Sequence, residues 1–276
     1  MSIKTIIIPF SSYEGKDSLS AALSLTKKHN AHLEVLHVTP DSNDGLQIIT
    51  DFDSENKRMQ ESAHAIFNKT ADEIEVDITE EEEIVDYPSA TFVSVEGKPD
   101  KVLPVRARLA DLVVMSGVVE KNDAAYRNLV HAALFRTGRP VLLIPPAKYK
   151  RQTVQENVII AWDGSFEAAR AVNLAIPLLR DSKVFVFTGV EKETFPLSNK
   201  NLVLYLQRHG ISAEAAAHEL HDATPETAIR EIIQEMDAGM LVMGAYSRED
   251  KMRETLLGSL THEMLDYSEI PILMAN

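Results

Sequence analysis

The sequence predicts an α/β fold in two successive copies, each a parallel sheet covered by helices on both faces. Three observations carry that prediction. Apolar runs of strand length return in the same order in the second half of the chain. Helix-periodic segments alternate with them, the pattern of a parallel sheet connected through helices. The 276 residues are also too many for one ordinary core, at roughly 100–200 residues per domain.

The first strand, Ile6-Ile7-Ile8-Pro9-Phe10, is continuously apolar and reads as fully buried; Val158-Ile159-Ile160-Ala161-Trp162 repeats it 152 positions on. A polar turn and a helical pattern follow. In the second copy Ala168, Ala171, Val172, Ala175, Ile176 and Leu179 share one helix face, and Pro177 is expected to kink its end. The second strands, Leu33 to Val38 and Val184 to Phe187, lie 151 positions apart. Further on, Asp111 to Ser116 matches Gly239 to Gly244 at an offset of 128, and Arg139 to Ile144 matches Ile270 to Met274 at 131. The fall from 151 to 128 places an insertion in copy one, within the polar stretch 41–87, where growth belongs on the surface. Copy two has a helix there: Thr224 as N-cap, Pro225 at the first helical position, Glu226 in the first turn and Gly239 just beyond. Its apolar face is Ala228, Ile229, Ile232, Ile233 and Met236. The copies divide at residue 150, giving domains 1–150 and 151–276.

An apolar fraction of 45% and a charged fraction of 25% are those of a folded globular protein. No apolar run approaches the ~20 residues of a membrane span. Met1-Ser2-Ile3-Lys4 leads into a strand rather than a cleavable signal, so a cytoplasmic location is expected. The absence of cysteine excludes disulfides, thiolate catalysis and cysteine-ligated metal centres. A net charge of −14 repels nucleic-acid phosphates and anionic lipid, so neither nucleic acid nor membrane is an expected partner. The densest basic stretch, Lys148 to Arg151, falls in the expected linker, and Glu80 to Glu83 reads as a solvated loop or strand edge.

In parallel α/β sheets ligands sit beyond the carboxyl ends of the strands, where the strand order reverses. Three segments of copy two fit that place: Trp162-Asp163-Gly164-Ser165, Gly244-Ala245-Tyr246-Ser247, and Gly258-Ser259 ahead of a helical run. Glycine before a helix lets phosphate approach the free amides of the first turn, and Asp163 can accept ribose or base hydrogen bonds. His218 and His221 lack zinc-motif spacing, so no metal site is expected. His131 and His262 read as packing residues; with neither a Gly-x-Ser-x-Gly elbow nor a Walker loop, no catalytic residue is expected.

The series Gly-x-x-Gly, about nine residues, then Gly-Ser or Gly-Thr is the nucleotide signature of the ATP-binding branch of the universal stress protein family, which this chain resembles. Asp163, Gly244 and Gly258-Ser259 match it. Ser247 stands in place of the second glycine, and ten residues rather than nine separate it from Gly258. The endings Thr137 to Pro145 and Glu269 to Met274 are also similar to the family's. The resemblance implies two tandem Rossmann-like (adenine nucleotide alpha hydrolase-like) domains, each with a five-stranded parallel sheet. It further implies a non-enzymatic stress-response regulator that binds an adenine nucleotide, ATP or AMP, in copy two, with Mg2+ only where ATP is bound. The implied site is Trp162, Asp163, Met243, Gly244, Ser247, Gly258, Ser259 and Leu260, with Val190 lining the base pocket. Copy one places Ser11 at the position of Asp163, and Arg127 and Asn128 at those of Gly258 and Ser259, so its site is expected to be degenerate and to serve packing.

Two other functions compete. Slow ATP hydrolysis needs a metal and a positioned water, and no second acidic residue is clearly placed beside Asp163. The family also has members that do not bind ATP, which leaves a scaffold or a binder of another small ligand as the alternative. A regulatory protein partner is implied but unidentified. The tandem pair resembles a covalently joined homodimer whose last strands pack together; monomer and homodimer both stay open.

Overall fold

The computed structural model describes residues 2–11, 16–39, 52–117, 124–146, 157–188, 198–216, 224–245, 264 and 269–276. The chain forms two compact units, Ser2–Pro146 and Ala147–Asn276.

The first unit runs β1 (Thr5–Pro9), α1 (Lys16–His29), β2 (His32–Thr39), α2 (Phe52–Ile74), β3 (Asp77–Ile78), β4 (Ser89–Glu96), α3 (Pro99–Arg106), β5 (Leu112–Ser116), α4 (Ala124–Arg136) and β6 (Val141–Ile144). Its strands pair in parallel in the order β3-β4-β2-β1-β5-β6. Ile6, Ile7 and Ile8 are all buried, each stabilising by about 1.5–3 kcal/mol relative to exposure. Alternation along β2 shows the helices to be on opposite faces. Glu34 meets Arg106 of α3, with Oε1 accepting from Nε at 2.5 Å and Oε2 from the terminal nitrogen at 3.1 Å. His37, an odd number of residues on, faces the other way and stacks on Phe92, which packs on Phe67 of α2.

Helix ends follow local chemistry. Asp17 lies in the first turn of α1, and Lys27, Lys28 and His29 in the last, each sign matched to the helix dipole. Asn30 then takes a left-handed φ of 50°, and the Ala31 amide donates to the Thr26 carbonyl at 3.0 Å, closing the helix.

The expected insertion in copy one is more than surface growth. The stretch that holds it forms, in its described part, the 23-residue α2 and the two-residue β3 at the sheet's edge, one strand beyond the five expected. Ala63, Phe67 and Ala71 of α2 are fully buried at helical spacing, so this polar-looking stretch carries a narrow core-facing stripe. Glu80 to Glu83 form the exposed turn after β3, and Glu81 accepts from Arg106 at 2.5 Å.

The second unit runs β7 (Asn157–Ala161), α5 (Phe166–Leu179), β8 (Lys183–Phe187), α6 (Asn199–Arg208), β9 (Ser212–Ala215), α7 (Pro225–Glu235), β10 (Met240–Gly244) and β11 (Ile272–Ala275). These five described strands pair in parallel in the order β11-β10-β7-β8-β9. All six apolar positions expected on α5 are buried, and the helix continues through Pro177 to Leu179. Thr224 caps α7, its hydroxyl accepting from the Thr227 amide at 3.3 Å, with Pro225 at the first position. The left-handed turn beyond α7 falls on Asp237, with φ 46°, rather than on Gly239, whose amide donates to Asn157 at 2.9 Å at the foot of β7. Among the described residues no helix is long and apolar enough to cross a membrane.

Candidate functional site

In the second unit the strand order reverses between β7 and β10. The chain passes from β7 through α5 to β8 on one side, and reaches β10, on β7's other side, only after β9 and α7. Parallel pairing puts both carboxyl ends at the same lip: Met243 stands opposite Ala161, so Gly244 is level with Trp162. Such a reversal leaves a crevice, because the two following connections leave in opposite directions.

Asp163 and Gly244 therefore come together at one lip. The route there is set residue by residue. The Trp162 amide donates to the Phe187 carbonyl at 2.8 Å, extending the ladder from β7 to β8, and its indole is buried. Asp163 is exposed, and its Oδ1 accepts from the Ser165 amide at 2.9 Å, a side-chain-closed turn. Gly164 takes φ 73°, which a side chain would resist. The Ser165 hydroxyl then accepts from the Ala168 amide at 3.1 Å and starts α5. Asp163 thus holds the turn with one oxygen.

Gly244 has a packing reason to lack a side chain. A methyl there would stand 2.6 Å from the Ala168 nitrogen and 2.8 Å from the Glu167 carbonyl carbon, inside the first turn of α5. Met243 is buried between Ala161 and Met274. Val190, Ser247, Gly258, Ser259 and Leu260 lie outside the described residues, as do Lys148 to Arg151, His218, His221 and His262.

Sequence reasoning missed two groups at this lip. Glu167 is only 8% exposed, buried by the same close approach of α5 to Gly244. In sequence it looks like an ordinary acidic residue of a first helical turn, where solvent exposure is the default. Thr188, directly after β8, has a buried Oγ1 with no hydrogen-bond partner. Its only signal is a hydroxyl ending the apolar run Val184 to Phe187.

In the first unit the equivalent reversal lies between β1 and β5, and its strand ends are met by the unit's own side chains. The Tyr126 hydroxyl, from the first turn of α4, donates to the Ser116 carbonyl at the end of β5. His37 Nδ1 lies 3.0 Å from the Phe10 carbonyl past β1; a carbonyl only accepts, so Nδ1 carries the proton. Arg127 and Asn128 sit within α4, Arg127 half-buried. His131, also in α4, packs edge-tilted on Phe135, with ring centres 4.4 Å apart, and burial lowers its pKa ahead of a smaller effect of Arg136.

The description of the Universal stress protein family matches the chain twice, over residues 2–119 and 155–276. Among solved structures the chain is similar to a universal stress protein from Archaeoglobus fulgidus, at 16% identity and TM-score 0.70, covering 100% of this chain and 97% of that one. A functionally unknown protein from Pseudomonas aeruginosa PAO1 aligns at 15% identity and TM-score 0.59, over 99% and 92%. A putative universal stress protein from Pseudomonas aeruginosa UCBPP-PA14 aligns at 17% and 0.55, over 99% and 93%. At these identities the likeness is one of fold. A search of curated proteins found no match. Because the family pattern covers both halves and the doubly wound topology recurs in each, the chain belongs to the universal stress protein family, with one family domain in each half.

Proposed function

We propose that the protein is a non-enzymatic stress-response regulator that binds an adenine nucleotide at the switch-point crevice of its second domain, and that occupancy alters its contacts with a protein partner. One observation carries the reading: Asp163 and Gly244 end adjacent strands at the point where strand order reverses, on a loop shaped by Gly164. Asp163 retains an oxygen able to accept from a ribose hydroxyl, Trp162 and Met243 back the lip with apolar surface, and the family signature supplies Ser247, Gly258, Ser259 and Leu260 for the phosphates and Val190 for the base. Mg2+ enters only with ATP. The first domain, with Tyr126 and His37 on its strand-end carbonyls, serves packing in this reading.

The test is isothermal titration of AMP and ATP into the intact chain, Asp163→Asn and Gly258→Arg. Asparagine keeps an oxygen for the Ser165 amide but loses the charge, and arginine copies the first domain's own residue. Both variants are expected to weaken binding at least about tenfold, a change of ~1.4 kcal/mol. Equal binding by all three proteins would move the site elsewhere.

A further inference from the structure

In the first domain β4 pairs with β2 along its whole length, Ser89 to Glu96, but with β3 only at Ser89 and Ala90. Two bonds fix the direction of its backbone groups. The Ser89 amide donates to the Ala31 carbonyl at 3.2 Å and the Gly97 amide to the Thr39 carbonyl at 2.8 Å, so odd-numbered residues turn their amides to β2. Even-numbered residues turn theirs to the opposite edge, where the Ala90 carbonyl accepts from the Thr79 amide at 3.0 Å. There the ladder stops. The Thr91 hydroxyl donates to the Thr79 carbonyl at 2.9 Å, taking the acceptor that the Phe92 amide would meet if the pairing ran on. Among the described residues no strand pairs with this edge past Ala90, and the amides and carbonyls of Phe92 and Ser94 point outward without a partner.

Open backbone groups in a row select an extended chain, which adds to the sheet as one more strand. The surroundings select its side chains. Phe92 and Val95 flank the edge half-buried, on opposite faces of the sheet by alternation, and Ile78 and Ile84 of the neighbouring segment are exposed, Ile84 at 98%. That segment, 77–87, holds Asp77, Glu80 to Glu83 and Asp86, all exposed, and no basic residue. Arg106 comes near it, but is shared between Glu34 and Glu81. Two copies of the chain, each at net charge −14 and with this same segment, repel one another, whereas lysine or arginine is attracted.

We propose that the open edge of β4, from Phe92 to Glu96, takes an extended segment of a partner protein as an added strand, and that this segment carries lysine or arginine between apolar residues. The proposal does not use the crevice of the second domain and stands or falls apart from the adenine reading.

The probe is a capped, fluorophore-bearing peptide of alternating lysine and valine, about six residues long to match a strand. It is titrated by anisotropy into the intact chain beside two comparison peptides, one with glutamate for lysine and one N-methylated along its length. The lysine peptide is expected to bind at least about tenfold more tightly than either. It should also slow hydrogen exchange of the Phe92 and Ser94 amides at least about tenfold, and leave those of Thr91 and Val93, already turned to β2, unchanged. Ser94→Pro removes an outward amide where an edge strand tolerates proline, and is expected to weaken the lysine peptide at least about tenfold. Glu82→Lys combined with Glu83→Lys should shift the preference toward the glutamate peptide. Equal binding of the three peptides overturns the proposal, as does lysine-peptide binding untouched by Ser94→Pro, since charge alone would then hold the peptide. Failure of every peptide to bind overturns it too. So does slow exchange of the Phe92 and Ser94 amides in the free protein, since the edge would then be covered by this chain or a second copy. Should Ser94→Pro not fold by circular dichroism, the N-methylated peptide on the wild type decides, and undiminished binding of it counts against the proposal.

Discussion

Replacing Gly244 by alanine tests the geometry on which the second domain's lip depends. Gly244 does not have a positive φ, so alanine fits its backbone, and in open space the change would stabilise the fold by about 0.4–1 kcal/mol through the unfolded chain. Here the space is taken. The added methyl would stand 2.6 Å from the Ala168 nitrogen, 2.8 Å from the Glu167 carbonyl carbon and 3.0 Å from its Cβ, against an optimum of roughly 3.5–4.0 Å for such pairs. The first two are backbone atoms held by the Ser165 cap, so relief requires the start of α5 to shift by about 1 Å from β10. That shift loosens the packing of Ala168, Ala171 and Val172, and overpacking of this kind costs about 1–3 kcal/mol. The sign of the effect therefore reverses. Urea unfolding followed by tryptophan fluorescence reads it locally, because the chain's single tryptophan, Trp162, is buried at the adjacent strand end. Gly210 is the control. It follows α6 with φ 76°, and a methyl added there would meet nothing within 4 Å, so alanine costs only the ~1 kcal/mol of left-handed backbone. A Gly244→Ala protein as stable as the wild type, or more so, would refute the close approach of α5 and with it the account of Glu167 burial.

Four further outcomes are expected. Arg106→Leu, which leaves the half-buried Glu34 without its paired donors, costs about 1–2 kcal/mol in chemical denaturation followed by circular dichroism, and Arg106→Lys restores only part of it. Ser165→Ala removes the cap of α5 and costs about 0.5–2 kcal/mol by the tryptophan signal. Phe67→Ala empties a fully buried site under α2 and costs about 3–5 kcal/mol; a loss under about 1 kcal/mol would show that α2 does not pack there. His32 has a pKa held below the ordinary value by burial, with Glu34 opposing in the smaller part. The unfolded chain therefore takes up the proton first as pH falls through about 6.5, and stability present above that pH is lost on acidification toward the folded-state value. In His32→Gln, whose amide can still meet Ser89, the slope of stability between about pH 7 and 5.5 should shrink, and an unchanged slope would rule out this residue as its source.

The duplicated architecture was legible because buried parallel strands leave continuous apolar runs, and Ile6 to Ile8 and Val158 to Ile160 repeat that signature with their spacing intact. Caps read equally well: Thr224 and Pro225 start α7 as their chemistry dictates. Harder to see was α2, whose buried stripe of Ala63, Phe67 and Ala71 is too thin to stand out among charged neighbours. The geometry of the candidate site was half legible. That Asp163 and Gly244 share one lip followed from their positions after strands, yet the reason for glycine at 244 is the backbone of α5, a tertiary neighbour that no local pattern announces. Glu167 and Thr188 were missed for the same reason, since burial of a polar side chain is decided by what packs over it.

The side chains closing the first domain's strand ends bear on how the whole chain would titrate. In the reading proposed above, with Tyr126 on Ser116 and His37 on Phe10, one half of the duplicated fold acts as its own occupant. A small molecule entering the remaining crevice would then saturate the chain at a single equivalent along a hyperbolic curve. Sigmoidal uptake would have to arise from association between chains, not from cooperation between the halves of one.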